Sequence, residues 1–191
     1  DDDRPLLLSF FGSLGAAVMN NLMTDVLARE IREGAPFRHI HGAGRDFGRM
    51  CDALKEQGIA LEGTGVELRE YIYDMPLVMA AADLVVCRAG ASTISELTAI
   101  AKPSVLIPSP NVTADHQTKN AQVLSQRGAA VLLPEAECAG KPEVFFDTVS
   151  GLLGDAGKRE TMGRALREMG AADGAEQIYA ALTGLLERPR R

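Results

Sequence analysis

Apolar runs of strand length alternate with amphipathic stretches of helix length along most of this chain. Leu6–Phe11 is apolar except for Ser9 and predicts a first buried strand. The turn Gly12-Ser13-Leu14-Gly15 follows, and Ala16–Arg32 then carries a helical period through Val18, Leu22, Val26 and Leu27. Phe37–His41 predicts a second strand ended by Gly42 and Gly44, and Asp46–Gln57 a helix stopped at Gly58. The third strand is the least defined, with Ile59–Leu61 and Val66–Ile72 both candidates. A short helix over Met75–Ala81 leads into the strand Asp83–Cys87, and a further helix spans Thr93–Ala101. Pro103–Ile107 predicts a fifth strand, with proline at its tolerated first position. A polar loop then reaches a helix from Asp115 to Gln126, and Ala129–Leu133 predicts the last strand. From Pro142 onward the pattern holds only helices, over Glu143–Leu153, Lys158–Met169 and Gly174–Leu186, before a frayed tail at Arg188–Arg191.

Such alternation produces parallel strands joined by right-handed crossovers. The expected fold class is therefore α/β, a doubly wound, mostly parallel six-stranded sheet with helices on both faces and a helical C-terminal tail. In the usual order 3-2-1-4-5-6, ligands sit at the carboxyl ends of the strands, near the switch between strands 1 and 4. The glycine turn at Gly12–Gly15 and the segment after Cys87 flank that switch. One domain is expected over residues 1–191, with a core over about 5–154 and C-terminal helices over about 155–187.

Composition narrows the picture. The apolar fraction of 46% supports a real core, and the absence of tryptophan with abundant alanine, leucine and glycine favours helices on a parallel sheet over a β-sandwich. A formal charge of −6 and no basic stripe argue against a nucleic-acid partner. No apolar run approaches the roughly 18–20 residues that span a bilayer. The opening Asp1-Asp2-Asp3-Arg4 is not a signal peptide, and the Asp1–Asp3 run reads as a solvated tail, not a metal-binding motif. Three cysteines, Cys51, Cys87 and Cys138, suit buried thiols in a reducing compartment. His39 and His41 share a strand face without an evident third ligand, so neither a metal nor a cofactor is expected. Met19, Met23, Met75 and Met79 read as core filler. The early first strand and the lack of an initiator methionine lead us to expect a piece of a longer protein.

The segment Arg88-Ala-Gly-Ala-Ser-Thr-Ile-Ser-Glu96 carries the most chemistry. It passes from a buried strand through a small-residue turn into a helix, where the first N–H groups are unpaired and the dipole is positive. Arg88 and Thr93 suit phosphate, and Glu96, one turn deeper, suits a sugar diol. Together they suggest a nucleotide-sugar site. The same spacing also fits a plain capping box, with Ser92 or Thr93 as cap and Ser95 or Glu96 reaching back. Gly12, Ser13 and Gly15 allow close backbone approach to a phosphate, or form a simple tight turn. Gln117 and Asn120 share a helix face and suit sugar hydroxyls, or lie in solvent behind Asp115 as an N-cap. His116 lacks an adjacent carboxylate and is expected to contact ligand or solvent.

In combination, Phe11–Ala16, Tyr71–Met75, Asp83–Glu96 and His116–Ala121 resemble the C-terminal half of MurG-type glycosyltransferases, over nearly the whole chain. That family moves N-acetylglucosamine from UDP-N-acetylglucosamine to an undecaprenyl-pyrophosphoryl-muramoyl-pentapeptide, with inversion and without a metal, between two Rossmann-like domains. The resemblance implies the donor-binding domain of such an enzyme. Ser13 would touch the pyrophosphate, and Ile72 would hold the uracil edge through its backbone. Ala91, Ser92 and Thr93 would line the sugar and phosphates, and Glu96 would accept from the ribose hydroxyls. Gln117 would read the N-acetylglucosamine, with Asn120 nearby. Arg88 matches the family's arginine, and Gly12, Gly15, Gly90 and His116 complete the surroundings. The general base and acceptor-lipid surface would belong to an amino-terminal partner domain that this chain does not contain, leaving the isolated chain inactive. The family works in the cytoplasm at the inner face of the plasma membrane. Two departures stand out: Phe11 replaces a glycine, which narrows the turn, and Tyr73 replaces a frequent acidic residue. A separate donor-binding subunit of a split glycosyltransferase, an epimerase and a glycolipid glycosyltransferase remain alternative readings.

Overall fold

The computed structural model describes residues 2–12 and 16–170, together with Tyr179, Leu182 and Thr183. Six strands form its centre: β1 (Leu6–Phe10), β2 (Arg38–Gly42), β3 (Val66–Arg69), β4 (Leu84–Cys87), β5 (Ser104–Leu106) and β6 (Val131–Leu132). All neighbours pair in parallel, in the order β3-β2-β1-β4-β5-β6. The helices are α1 (Ala17–Arg32), α2 (Phe47–Glu56), α3 (Met75–Ala81), α4 (Ala91–Ala99), α5 (His116–Gln126), α6 (Glu135–Cys138), α7 (Pro142–Gly154) and α8 (Ala156–Gly170). The parallel, doubly wound sheet expected from the alternation of apolar runs is observed, and its strands take the usual order.

Side chains alternate across each strand, so a fully apolar strand must be covered on both faces. Leu7 and Val86 point to one face, where Met23 and Leu27 of α1, Met50 of α2 and Phe145 of α7 cover them. Leu8 and Val85 point to the other, under Val78 of α3, Leu97 of α4, Leu124 of α5 and Leu166 of α8. Each leucine fully buried in this way contributes about 1.5–3 kcal/mol relative to exposure. The two apolar layers hold the strands rigid and leave their carboxyl ends free to build a site.

Several boundaries differ from the sequence reading, for local reasons. α4 starts at Ala91, because Gly90 takes an extended backbone (φ −69°, ψ 148°) and is the N-cap. Ser92 and Thr93 therefore lie inside the first turn, and no side chain caps the helix. Asp115 does not cap α5 either, since its backbone is left-handed (φ 52°). β3 forms only over Val66–Arg69, and Ile59 and Leu61 pack on the core from a loop. The short helix α6 had no counterpart in the apolar pattern. Met19, Met23 and Met79 are buried, whereas Met75 is half-exposed and lines a cavity. The helix expected over Gly174–Leu186 and the tail at Arg188–Arg191 lie outside the described residues. No helix among the described residues is long and apolar enough to cross a membrane.

Candidate functional site

The carboxyl ends of β1 and β4 open into a cleft of two lobes. The first, of about 370 Å³, lies between Gly42, Gly44 and Ile72 on one side and Ser92, Thr93 and Glu96 on the other. The second, of about 340 Å³, lies between Gly12 and Arg88 below and Ser109, Val112 and Gln117 above. Phe10, Gly12 and Thr93 border both lobes, so one elongated ligand can occupy the two together. Gly12 makes the turn out of β1 with φ +99°, a conformation that a residue with a Cβ adopts only under strain.

The wall contributed by α4 is the more open one. Extended Gly90 aims the first turn of the helix at the cleft, and the first intrahelical bond runs from Ile94 N–H to the Gly90 carbonyl at 3.0 Å. The N–H groups before Ile94 have no acceptor inside the helix, and the dipole makes this end positive. Ser92 and Glu96 are exposed and Thr93 is half-buried; none of their side chains is hydrogen-bonded to a described residue. The Cys87 thiol beneath is pushed up to about 12 by burial and by the nearby Glu96 carboxylate, so it is no nucleophile at neutral pH.

Arg88 is engaged before any ligand arrives. Its Nη1 donates to the Ile107 and Pro108 carbonyls at 3.2 and 3.1 Å, and its Nη2 pairs with Glu135 Oε2 at 2.5 Å. The guanidinium also lies 5.7 Å from the centre of the Phe11 ring. Phe11 points inward, where its ring also meets His41, so its bulk is taken up by the core and the wall of the second lobe. Gln117 accepts a hydrogen bond from Ser109 N–H at 2.9 Å, which ties α5 to the loop after β5.

The structure thus places Gly12, Ile72, Arg88, Gly90, Ser92, Thr93, Glu96 and Gln117 around one cleft. Ala91 is exposed outside both lobes. Asn120 donates to the Ala89 carbonyl at 3.2 Å, supporting the corner from behind. His116 is exposed, with Nδ1 2.9 Å from the Thr113 carbonyl, and borders neither lobe. Ser13 and Gly15 lie outside the described residues. Sequence reasoning missed Phe10, Glu70, Ser109 and Val112 as wall residues, because a lining position far along the chain leaves no local signature. It also missed that His39 and His41 belong to a wholly buried polar run between the sheet and α1. Asn20 and Glu30, polar residues within the apolar stripe of α1, were the available sign of it.

An open parallel sheet with its cleft at the switch between β1 and β4 defines a doubly wound α/β domain, a class in which ligands sit at the strand carboxyl ends. Residues 6–178 match the glycosyltransferase family 28 C-terminal domain, and the chain belongs to that family. It is 42% identical over 190 residues to a Salinibacter ruber protein and 36% identical over 185 residues to one from Acetivibrio thermocellus. Both are named UDP-N-acetylglucosamine–N-acetylmuramyl-(pentapeptide) pyrophosphoryl-undecaprenol N-acetylglucosamine transferase. These matches take in 99% and 97% of the chain but 49% and 48% of the relatives, so the chain spans about half their length. Among solved structures, Acinetobacter baumannii MurG superposes with a TM-score of 0.73 at 27% identity, over 87% of this chain and 48% of that one.

Proposed function

We propose that this chain is the donor-binding domain of an inverting N-acetylglucosaminyltransferase that takes UDP-N-acetylglucosamine to a lipid-linked muramoyl-pentapeptide, in the synthesis of peptidoglycan precursors. The observation that carries this reading is the first turn of α4, unpartnered among the described residues, with Ser92, Thr93 and Glu96 facing Ile72 across one lobe. A diphosphate suits the helix N-terminus, and a ribose diol suits the Glu96 carboxylate. The uracil edge would meet the backbone at Ile72, and Ser13 would reach the diphosphate from the turn after β1. Gln117, with Asn120 behind it, would meet the sugar in the second lobe. The names of the relatives favour N-acetylglucosamine over other hexoses.

Charge that develops on the departing UDP would be met by helix N–H donors and the Thr93 hydroxyl, already oriented before reaction. Arg88 would act mainly by holding the loop after β5 over the second lobe, since Glu135 balances its charge. The base that deprotonates the acceptor hydroxyl would come from an amino-terminal domain facing this cleft, at the inner face of the plasma membrane. Isothermal calorimetry with UDP-N-acetylglucosamine, and with ADP as control, tests the reading. Saturable binding of the first and none of the second is expected; equal binding, or none of either, overturns it.

A further inference from the structure

Five polar side chains lie on the α1 face of the sheet, leading to the turn that borders the first lobe, and the donor-site reading leaves them without a role. Ser9, Asn20, Glu30, His39 and His41 are all at 0% exposure. They form a single run. Glu30 Oε2 is 2.8 Å from His39 Nδ1, and His39 Nε2 is 2.7 Å from Ser9 Oγ. Ser9 Oγ is 2.7 Å from His41 Nδ1, and His41 Nε2 is 3.2 Å from Asn20 Oδ1. Asn20 Nδ2 donates to the Ala43 carbonyl at 2.7 Å and to Asp46 Oδ2 at 2.9 Å. The run therefore begins on α1, crosses β2 and β1, and ends on the turn at Gly44–Asp46. Gly44 of that turn lines the first lobe, as does Gly42 at the end of β2. Ser9, His39 and Glu30 have the order of a hydrolase triad, but burial closes them to any substrate.

Hydrogen-bond bookkeeping fixes the direction. The Asn20 amide nitrogen faces two acceptors, so its oxygen faces His41, whose Nε2 must then donate. A neutral His41 ring accepts at Nδ1, from the Ser9 hydroxyl. Ser9 in turn accepts from His39 Nε2–H. One proton then remains between His39 Nδ1 and the Glu30 carboxyl group. Reversing the run would set the His41 lone pair against the Asn20 oxygen. We propose that Glu30, His39, Ser9, His41 and Asn20 are positioning residues: the proton held by Glu30 and His39 polarises the run, which locks the turn at Gly44–Asp46 as the floor of the first lobe. Burial and the facing His39 push His41 down to about 3, in keeping with a neutral ring. The titratable groups along the run are Glu30 of α1, His39 and His41 of β2, and Asp46 of the turn, which Arg49 of α2 holds at 3.0 Å. β1 adds only the Ser9 hydroxyl, and α7 the Phe146 ring, which packs on Phe37.

The identity of the ligand rests on the donor-site reading; the direction of the run does not. Ring-nitrogen NMR of the whole chain at pH 7 should find His41 neutral, protonated at Nε2, and His39 protonated at Nε2. Glu30→Gln keeps the direction, because an amide N–H can donate to His39 Nδ1. It should leave the His41 tautomer and the Gly44 amide resonance unchanged, with UDP-N-acetylglucosamine affinity within about twofold. Ser9→Ala interrupts the run. It should leave His41 protonated at Nε2, as the Asn20 oxygen requires, but strip the donor from Nδ1, shift the Gly44 amide, and weaken binding by about five- to tenfold, the size of one lost hydrogen bond. His41 protonated at Nδ1 or charged at pH 7 overturns the proposal, as does a folded Ser9→Ala chain with an unmoved Gly44 amide. If Ser9→Ala fails to fold, the native tautomers and Glu30→Gln still decide. If the unaltered chain binds no donor, the donor reading fails while the resonances judge the positioning run.

Discussion

In the buried run from Glu30 to Asn20 every polar side chain is paired, whereas the first turn of α4 across the cleft offers two hydroxyls and a carboxylate that no described side chain or backbone group meets. The difference follows from burial. A polar group taken out of water costs several kcal/mol unless it is hydrogen-bonded, so the run from Glu30 to Asn20 has to be complete. Ser92 and Glu96 remain in water, where an open hydrogen-bonding site is satisfied by solvent and is free to exchange it for ligand. One wall is fixed in advance and the other is left available. Changes in the buried run should therefore register in stability as well as in binding, and changes on the α4 turn in binding alone.

The largest effect should come from acid. His41 has an ordinary pKa of 6.5 and is held near 3 in the fold, chiefly by burial and then by His39. It is neutral when native but takes a proton below pH 6.5 when unfolded. Its stabilisation is thus complete above pH 6.5 and is lost as pH falls toward 3, at about 1.4 kcal/mol per pH unit. Asp46, held low by Asn20 and Arg49, adds a loss of the same sign at more acid pH. Urea unfolding at pH 7 and pH 4 should differ by about 3 kcal/mol from His41. His41→Gln, which can still donate to Asn20 and accept from Ser9, should flatten that slope; an unchanged acid curve would contradict the account of the floor.

On the α4 turn the response should invert. Glu96→Gln keeps the shape and loses the charge that would accept from a ribose diol. We expect the Kd for UDP-N-acetylglucosamine to rise about tenfold, since a hydrogen bond to a charged group is worth about 1.5–3 kcal/mol. Unfolding free energy should change by less than about 0.5 kcal/mol, because Glu96 is exposed and has no hydrogen-bond partner among the described residues. A stability change larger than the binding change would erase the contrast between the two walls.

The parts of this molecule that sequence made legible are those governed by periodicity. Leu84–Cys87 is buried throughout because it is apolar throughout, and the parallel pairing followed from helix-length crossovers. The α4 corner was legible as chemistry, but its start was misplaced by two residues. Ser92 and Thr93 look like caps in a one-dimensional string, while the backbone of Gly90 takes that place. The polar run was not legible at all. Its members come from β1, α1 and β2, and Ser9 and His39 become neighbours only through strand pairing. A polar residue inside an apolar stripe announces a partner without naming it.

Arg88 and Glu135 fall between the two walls and should give the smallest effect. Their side chains are 14% and 12% exposed, so the pair is mostly shielded but borders the second lobe. Glu135→Gln keeps an acceptor for Nη2 and removes the opposing charge. Losing the ion pair should cost about 1 kcal/mol of stability in thermal unfolding, since two backbone carbonyls still hold Nη1. The uncompensated guanidinium then adds positive potential beside the proposed diphosphate position. UDP should bind about two- to threefold more tightly at low salt, with the gain screened as ionic strength rises. If binding weakens instead, the charge of Arg88 contributes nothing to the ligand, and its part is confined to holding the Ile107–Pro108 loop. Such a result would move Arg88 from the ligand-facing wall to the paired floor and redraw the boundary between them.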